Sequence, residues 1–291
     1  MAGIENGEFT RRSSNAGHGA AASGYCGKYE AGCGDCPLIP GKKESDLSRR
    51  NFFNKIELMK KLDVTVIGPS EWIVTQAYKS EILQGKKIVH IANTLDTALF
   101  SPISDRENLR RQYEIKQNKK VIIFGAADNG TENENKGFRF LRDAFRYLDV
   151  SQYILLIFGN SGQDLGLPDG LEVMKAGYVT EEKKMVELYN VADVLVNPSS
   201  QESFGYTVCE AMACGTPAVG FPIGGIKEQI SHKEDGYLAK YHDAEDLAAG
   251  IRFCAEHRDV LGQEARRSVQ RFSYERVGLV YKGMLNDICS R

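Results

Sequence analysis

From about residue 119 onward the chain alternates between short apolar runs and longer segments with helical spacing. This alternation constrains the fold strongly. Strands separated by helices pair in parallel, with helices covering both faces of the sheet. The apolar runs lie at 120–125, 153–158, 171–176, 193–197 and 217–221, and the spacing predicts helices over 137–148, 181–190, 205–214 and 225–231. Further helices near 243–257, 259–270 and 274–289 close the chain, with no internal repeat and no coiled-coil heptad. An α/β fold follows, a Rossmann-like parallel sheet with helices on both faces.

The preceding part is shorter and less regular. Apolar positions from Leu47 to Leu62 predict a helix over 45–61, followed by a strand at 64–67. Ser70 is placed to cap a helix from Glu71 to about Leu83, and 87–91 reads as another strand. Residues 1–24 are rich in Gly, Ala and Ser and carry no hydrophobic period, so they are expected to be disordered or foreign to the fold.

At 291 residues the chain has room for two domains or for one large and one partial domain. Hydrophobic and charged fractions of 42% and 26% are those of a soluble globular protein, and a net charge of −2 gives no reason to invoke nucleic acid. No run of about 20 apolar residues offers a membrane span, and the polar start has no secretory pattern. Seven cysteines without such a leader suggest reduced thiols in a cytoplasm.

The stretch from Pro198 to Pro217 is the most informative for function. It follows the buried run Val194-Leu195-Val196, turns through Pro198-Ser199-Ser200, and enters a helix that stops at Gly215-Thr216-Pro217. Glu202 lies before the helix and Glu210 a little over one turn inside it. Between them, near Gly205, unpaired helix-start N–H groups and the positive end of the helix dipole suit a phosphate. One loop and one helix could therefore hold a sugar hydroxyl, a diphosphate and a ribose in a row. The alternative from these residues alone is an ordinary strand-loop-helix unit with two surface glutamates.

This arrangement resembles the E-x7-E signature of retaining glycosyltransferases with the GT-B fold, in the large family 4 (group 1). The match includes P-S before Glu202, F-G after it and E-A-M-A-C-G-T-P at the end. The resemblance extends over roughly residues 25–290. Gly68-Pro69-Ser70-Glu71-Trp72 is similar to the family's P-S-x-W element. Asn93-Thr94-Leu95-Asp96, with Phe100 and Pro102, is similar to its interdomain connector, although Thr94 stands where the family has glycine.

The resemblance implies a Rossmann-like donor domain over 85–272 and a C-terminal helix, 273–291, packing back toward the N-terminal part. Residues 25–84 would then be a remnant of a second Rossmann-like domain for the acceptor, whose beginning is expected to be missing.

It also implies site roles. Glu202 and Lys136 would be catalytic, Glu202 holding donor-sugar hydroxyls and Lys136 neutralising the diphosphate as the glycosidic bond breaks. Glu210 would hold the ribose, and the N–H groups of Gly205, Tyr206 and Thr207 the diphosphate. Gly125, Ala126 and Ser199 would line the cleft, and the turn with Tyr178 and Val179 would lie against the base. The family's G-R-L arginine has no counterpart here, since Ala126 and Ala127 stand in its place; Arg139 is one candidate substitute. Gly224-Gly225, with Glu228 after it, reads either as a close-approach turn or as a plain glycine turn.

No metal or other cofactor is implied. The donor would be a nucleotide-diphosphate sugar and the acceptor a saccharide or lipid-linked saccharide. That places the enzyme in the cytoplasm or peripherally at the inner membrane face, in glycan synthesis. A nucleotide-sugar-binding fragment without catalysis is the alternative from a different functional class. A sugar-nucleotide epimerase is a further one, which the Glu210–Pro217 context and the Asn93–Asp96 connector argue against.

Cys26, Cys33 and Cys36 give C-x6-C-x2-C, followed by Pro37-Leu38. A subset of the family carries a four-cysteine version of this segment, and here Gly19, beside His18, stands at the first cysteine place. Three thiolates and one imidazole could hold zinc. Three reduced thiols without a metal are the simpler expectation.

Overall fold

A computed structural model describes residues 26–36, 39–41, 43–126, 134–160 and 165–290. The readings made for residues 1–24, His18, Gly19, Pro37, Leu38 and Ala127 lie outside these. The chain divides into two compact units, residues 1–91 and 92–291. The division falls after Ile91 rather than near 85, because the strand at 87–90 pairs within the first unit.

In the first unit, helix α1 (Leu47–Lys61) is capped by Asp46, whose side chain accepts from the N–H groups of Ser48 and Arg49. Strands β1 (Thr65–Gly68) and β2 (Lys87–His90) pair in parallel, with Val66 opposite Ile88. Helix α2 (Glu71–Lys79) crosses between them, and Ser70 caps it as expected, its Oγ accepting from Ile73 N at 3.2 Å. The predicted helix 71–83 ends at Lys79; a 3-10 turn at Glu81–Leu83 follows.

The cysteine loop folds tightly before α1. Cys33, Gly34 and Asp35 all have positive φ, at 48°, 104° and 45°. A Cβ at Gly34 would meet the carbonyl oxygen of Glu44 at 2.3 Å, so this turn requires glycine. Cys36 N donates to Asp46 Oδ2 at 2.8 Å, tying the loop to the helix cap.

The second unit is a six-stranded, all-parallel sheet of order β5-β4-β3-β6-β7-β8. The strands are β3 (Lys120–Ala126), β4 (Tyr153–Gly159), β5 (Glu172–Gly177), β6 (Val194–Asn197), β7 (Ala218–Gly220) and β8 (Gly236–Leu238). The first strand of the unit lies at the centre and the chain winds outward in both directions, which is the doubly wound arrangement.

Alternate residues serve opposite faces. Val121, Ile123, Ile154, Leu156 and Leu195 join one core, and Ile122, Phe124, Leu155, Ile157 and Val196 the other. Because both faces are buried, these strands read as continuous apolar runs. Helix α3 (Arg106–Gln112) is fixed by charge: Asp193, 3% exposed, pairs with Arg106 and Arg110 at 2.9 and 3.1 Å and accepts from Val121 N at 2.7 Å.

Helices α4 (Phe138–Ala144) and α5 (Glu182–Val191) follow β3 and β5, and α6 (Tyr206–Ala213) follows β6. The segment predicted as one helix over 137–148 becomes a short α4 with a 3-10 turn at Phe145–Tyr147. Helices α7 (Ile226–Gln229), α8 (Ala244–Glu256), α9 (Arg258–Ser268) and α10 (Tyr274–Cys289) complete the unit. Leu95 N donates to Phe272 O at 2.8 Å and Arg266 reaches the carbonyls of Thr97, Phe100 and Ala213. The connector after β2 and the segment before α10 are thereby held to the second unit. Among the described residues no helix is long and apolar enough to cross a membrane.

Candidate active site

A pocket opens at the carboxyl ends of β3 and β6, the point where the strand order reverses and where doubly wound sheets bind ligands. Gly125, Lys136, Ser199 and Thr207, four of the residues picked out by sequence, line it together with Phe124, Phe158 and Asn197. At Gly125 a Cβ would meet the Phe158 ring at 2.7 Å, so the end of β3 must be glycine for that ring to lie across it.

Lys136 ends a 3-10 turn and is followed by Gly137, whose φ is +70°. A side chain at 137 would meet Pro198 O at 1.9 Å. The lysine loop and the loop after β6 are therefore pressed together, backbone against backbone. Ser200 N donates to Asn135 O at 2.9 Å and Gln201 Nε2 to Asn135 Oδ1 at 3.0 Å. The same closeness brings Lys136 Nζ to 3.4 Å from Glu202 Oε2, with the two side chains 32% and 18% exposed.

Glu202 is held from behind by the glycine pair. Gly225 N donates to Glu202 O at 3.0 Å, and a Cβ at Gly224 would lie 1.8 Å from that oxygen. Gly224-Gly225 is thus a close-approach turn that fixes the glutamate loop. Gly205, at φ +95°, starts α6, and its missing Cβ would sit 3.3 Å from Glu202 Cγ. The leading N–H groups of α6 belong to Tyr206 and Thr207, which have no preceding carbonyl within the helix. Lys136, Glu202 and the start of α6 therefore converge on one place.

Glu210 lies one turn further along α6 and outside the pocket lining. Its Oε2 accepts the hydroxyl of Tyr189, from α5, at 2.7 Å. Burial pushes the Glu210 carboxyl above the usual carboxylate range; the tyrosine bond opposes that rise and the charge of Glu182 adds to it. The same burial, with Glu210 close by, pushes the Tyr189 hydroxyl well up.

Other sequence-picked residues are placed differently. Ala126 is fully buried in the core and its carbonyl is taken by Asn160 N at 2.8 Å, so its side chain does not face the pocket. Tyr178 is 78% exposed just beyond β5, and Val179 packs against the core. The Tyr206 ring stands edge-on to Phe204, 5.2 Å away, and burial pushes its hydroxyl up to about 12. Arg139 is exposed and lies over the Phe140 ring at 4.7 Å, away from the pocket lining.

Asn197 was not singled out by sequence. It accepts from Ser199 Oγ at 2.6 Å and donates to Thr207 Oγ1 at 3.3 Å, joining the loop to the helix under the pocket. A polar residue ending an otherwise apolar strand run is the signal that marks it. Cys33 has its thiol pushed up by burial and by neighbouring Cys26 and Cys36. Among the described residues no set of three His, Cys, Asp or Glu side chains is arranged to hold a metal ion.

Glycosyl transferases group 1 match residues 105–275, more than half of the chain. The chain belongs to that family. A D-inositol 3-phosphate glycosyltransferase from Geodermatophilus obscurus is 31% identical over 196 residues, covering 62% of this chain and 43% of its own. An N-acetyl-alpha-D-glucosaminyl L-malate synthase from Bacillus anthracis is 26% identical over 212 residues, covering 70% and 54%. The chain spans about half the length of the curated relatives it matches. The crystal structure of Anabaena HepE in complex with UDP and glucose superposes with a TM-score of 0.67 at 23% identity, covering 81% of this chain and 67% of that one. The fold is of the GT-B kind, as expected from the sequence.

Proposed function

We propose that this group 1 glycosyltransferase chain takes a sugar from a nucleotide-diphosphate sugar and passes it, with retention, to a saccharide or lipid-linked saccharide. The observation that carries the reading is the convergence of Lys136, Glu202 and the start of α6 at the switch point of the sheet. In this reading the diphosphate lies between the lysine and the helix N–H groups, and Glu202 accepts hydroxyls of the transferred sugar. Glu210 accepts ribose hydroxyls, and Gly177-Tyr178-Val179 borders the base.

The bond from the anomeric carbon to phosphate oxygen breaks as the acceptor oxygen attacks the same face. The acceptor proton passes to an oxygen of the leaving diphosphate, so no separate protein base is needed. Lys136 and the helix dipole meet the charge that grows on the leaving group, a task that preorganised cations and N–H donors perform well where water is excluded. No metal is required for that step. Family 4 membership, a cytoplasmic place at the inner membrane face and a role in cell-envelope polysaccharide synthesis belong to the same proposal.

The test incubates the chain with UDP- and GDP-linked hexoses and N-acetylhexosamines and a panel of acceptors, with and without EDTA. Two relatives are named for small hydroxylated acids, so D-inositol 3-phosphate and L-malate join the saccharides in the panel. An α-linked product from an α-linked donor, formed equally in EDTA, is the expected result. An inverted product would refute retention. A second reading is nucleotide-sugar binding without transfer. Donor binding without product would select it.

A further inference from the structure

Tyr189 is fully buried on α5, one of the largest side chains with no solvent contact, yet its hydroxyl is aimed at a carboxylate on the neighbouring helix. A core ring at this place needs no hydroxyl for packing. Phe100 and Phe158 lie 6.3 and 6.1 Å from it, Phe158 edge-on, and Phe158 in turn lines the pocket. The backbone around Tyr189 is fixed independently, because its carbonyl accepts Thr216 Oγ1 at 2.7 Å. The hydroxyl therefore has one evident partner, Glu210 Oε2.

We infer that Tyr189 is a positioning residue for the donor: its hydroxyl fixes the Glu210 carboxylate so that Oε1 and the remaining lone pair of Oε2 accept the ribose 2′ and 3′ hydroxyls. The inference rests on the donor reading given above for Glu210. A carboxylate has about four acceptor sites, so one bond from tyrosine leaves room for two more. Without that bond two things change. The side chain regains rotational freedom that ligand binding must then remove. The carboxyl also loses the one hydrogen bond that opposes its burial, so it takes up a proton at higher pH. A protonated carboxyl keeps fewer acceptor sites and adds a donor that the ribose does not need. The geometry thus assigns Tyr189 to ribonucleotide recognition over 2′-deoxyribonucleotide recognition, although no part of it lines the pocket.

The groups that bear on Glu210 electrostatically are Tyr189 and Glu182 from α5, and Tyr206, Cys209 and Cys214 from α6 and its end. Burial pushes Tyr206 and Cys214 to about 12, and Tyr189 and Cys209 well up. Glu182→Gln serves as the control for the Glu182 charge that acts on Glu210.

The experiment titrates whichever of UDP, GDP and ADP the wild type binds tightest, and its 2′-deoxy counterpart, between pH 5.5 and 8.5. Wild type, Tyr189→Phe, Glu210→Gln and the double variant are compared. Tyr189→Phe is expected to lose about fivefold in ribonucleotide affinity near neutral pH, the size of one typical hydrogen bond. The deoxynucleotide should change much less, and the pH below which ribonucleotide binding fades should move up. The double variant should match Glu210→Gln alone, since Tyr189 acts only through the carboxylate.

Unchanged ribo/deoxy ratio and pH limb in folded Tyr189→Phe would overturn the inference, as would additive losses in the double variant. Should Tyr189→Phe not fold, Glu210→Asp draws the carboxylate back from the hydroxyl by one methylene, and a wild-type ratio and limb there overturn it equally. Loss of effect in Glu210→Gln, or no binding of any of the three diphosphates, would instead refute the donor reading itself.

Discussion

Glu202→Gln is expected to tighten binding of the free nucleoside diphosphate while weakening that of the complete nucleotide sugar. The reason is the pairing of Lys136 with Glu202 at 3.4 Å. A diphosphate that uses Lys136 must take it from the carboxylate and must also approach the carboxylate's own charge. At 3.4 Å the attraction of two unit charges is about 1 kcal/mol in bulk water and about 5 kcal/mol at an effective dielectric of about 20. With exposures of 32% and 18% the pair lies between surface and interior, and side-chain ordering and desolvation offset most of the upper figure, leaving about 1 kcal/mol. Neutralising Glu202 should therefore improve diphosphate affinity about fivefold.

The complete donor should respond with the opposite sign, because the sugar loses a charged acceptor for its hydroxyls, a loss of about 1.5–3 kcal/mol. Calorimetric titration of UDP or GDP and of the matching nucleotide hexose, against wild type and Glu202→Gln at low and high salt, reads both. The gain for the bare diphosphate should shrink at high salt, since the partly exposed pair is screened. Unchanged or weaker diphosphate binding in folded Glu202→Gln would refute the competition between carboxylate and diphosphate for Lys136. Equal changes for both ligands would remove Glu202 from sugar contact.

Lys136→Ala should cost the nucleoside diphosphate about 1–2 kcal/mol and the bare nucleoside almost nothing; equal losses in titrations of UDP and uridine would place the lysine in solvent. Glu210→Gln should weaken nucleotide binding by about 1–3 kcal/mol yet raise thermal stability at pH 7.5 slightly. Burial lifts the folded-state pKa of Glu210 above its unfolded value, so the folded state holds the proton more tightly, and stability falls as pH rises through that window. A melting temperature below wild type at pH 7.5 would contradict this. Asp193→Ala leaves Arg106 and Arg110 without their buried carboxylate and should cost about 3–5 kcal/mol in urea unfolding; a loss under 1 kcal/mol would count against the network.

The parts of this chain that local pattern can carry were legible in its sequence. Strand runs such as 120–125 and 153–158 are apolar on both faces because helices cover both faces, and the observed strands Lys120–Ala126 and Tyr153–Gly159 extend them by one residue each. Strand Gly236–Leu238 escaped because three residues at a sheet edge have no period to read. Helix Arg106–Gln112 escaped for a different reason: its sequence, RENLRRQ, is almost wholly charged or polar, and its packing comes from arginines reaching Asp193 some 80 positions later.

The candidate site divides in the same way. Lys136-Gly137, Glu202 and Gly224-Gly225 could be found from motif and glycine chemistry, and their glycines prove to be sites of backbone contact. Ala126 was misread as site-facing because its place at a strand end fits either a cleft or a core; the alternation of faces puts its side chain among Phe124 and Phe138. Asn197 and Tyr189 were missed because their roles depend on partners 10 and 21 positions away in other elements. A buried tyrosine in a helix ending VELYNV reads as core, and is core. Its hydroxyl acquires meaning only when two helices following different strands bring it within 2.7 Å of Glu210. Residues that touch a ligand leave local marks in a sequence, whereas residues that hold those residues in place are specified by the packing of the whole sheet.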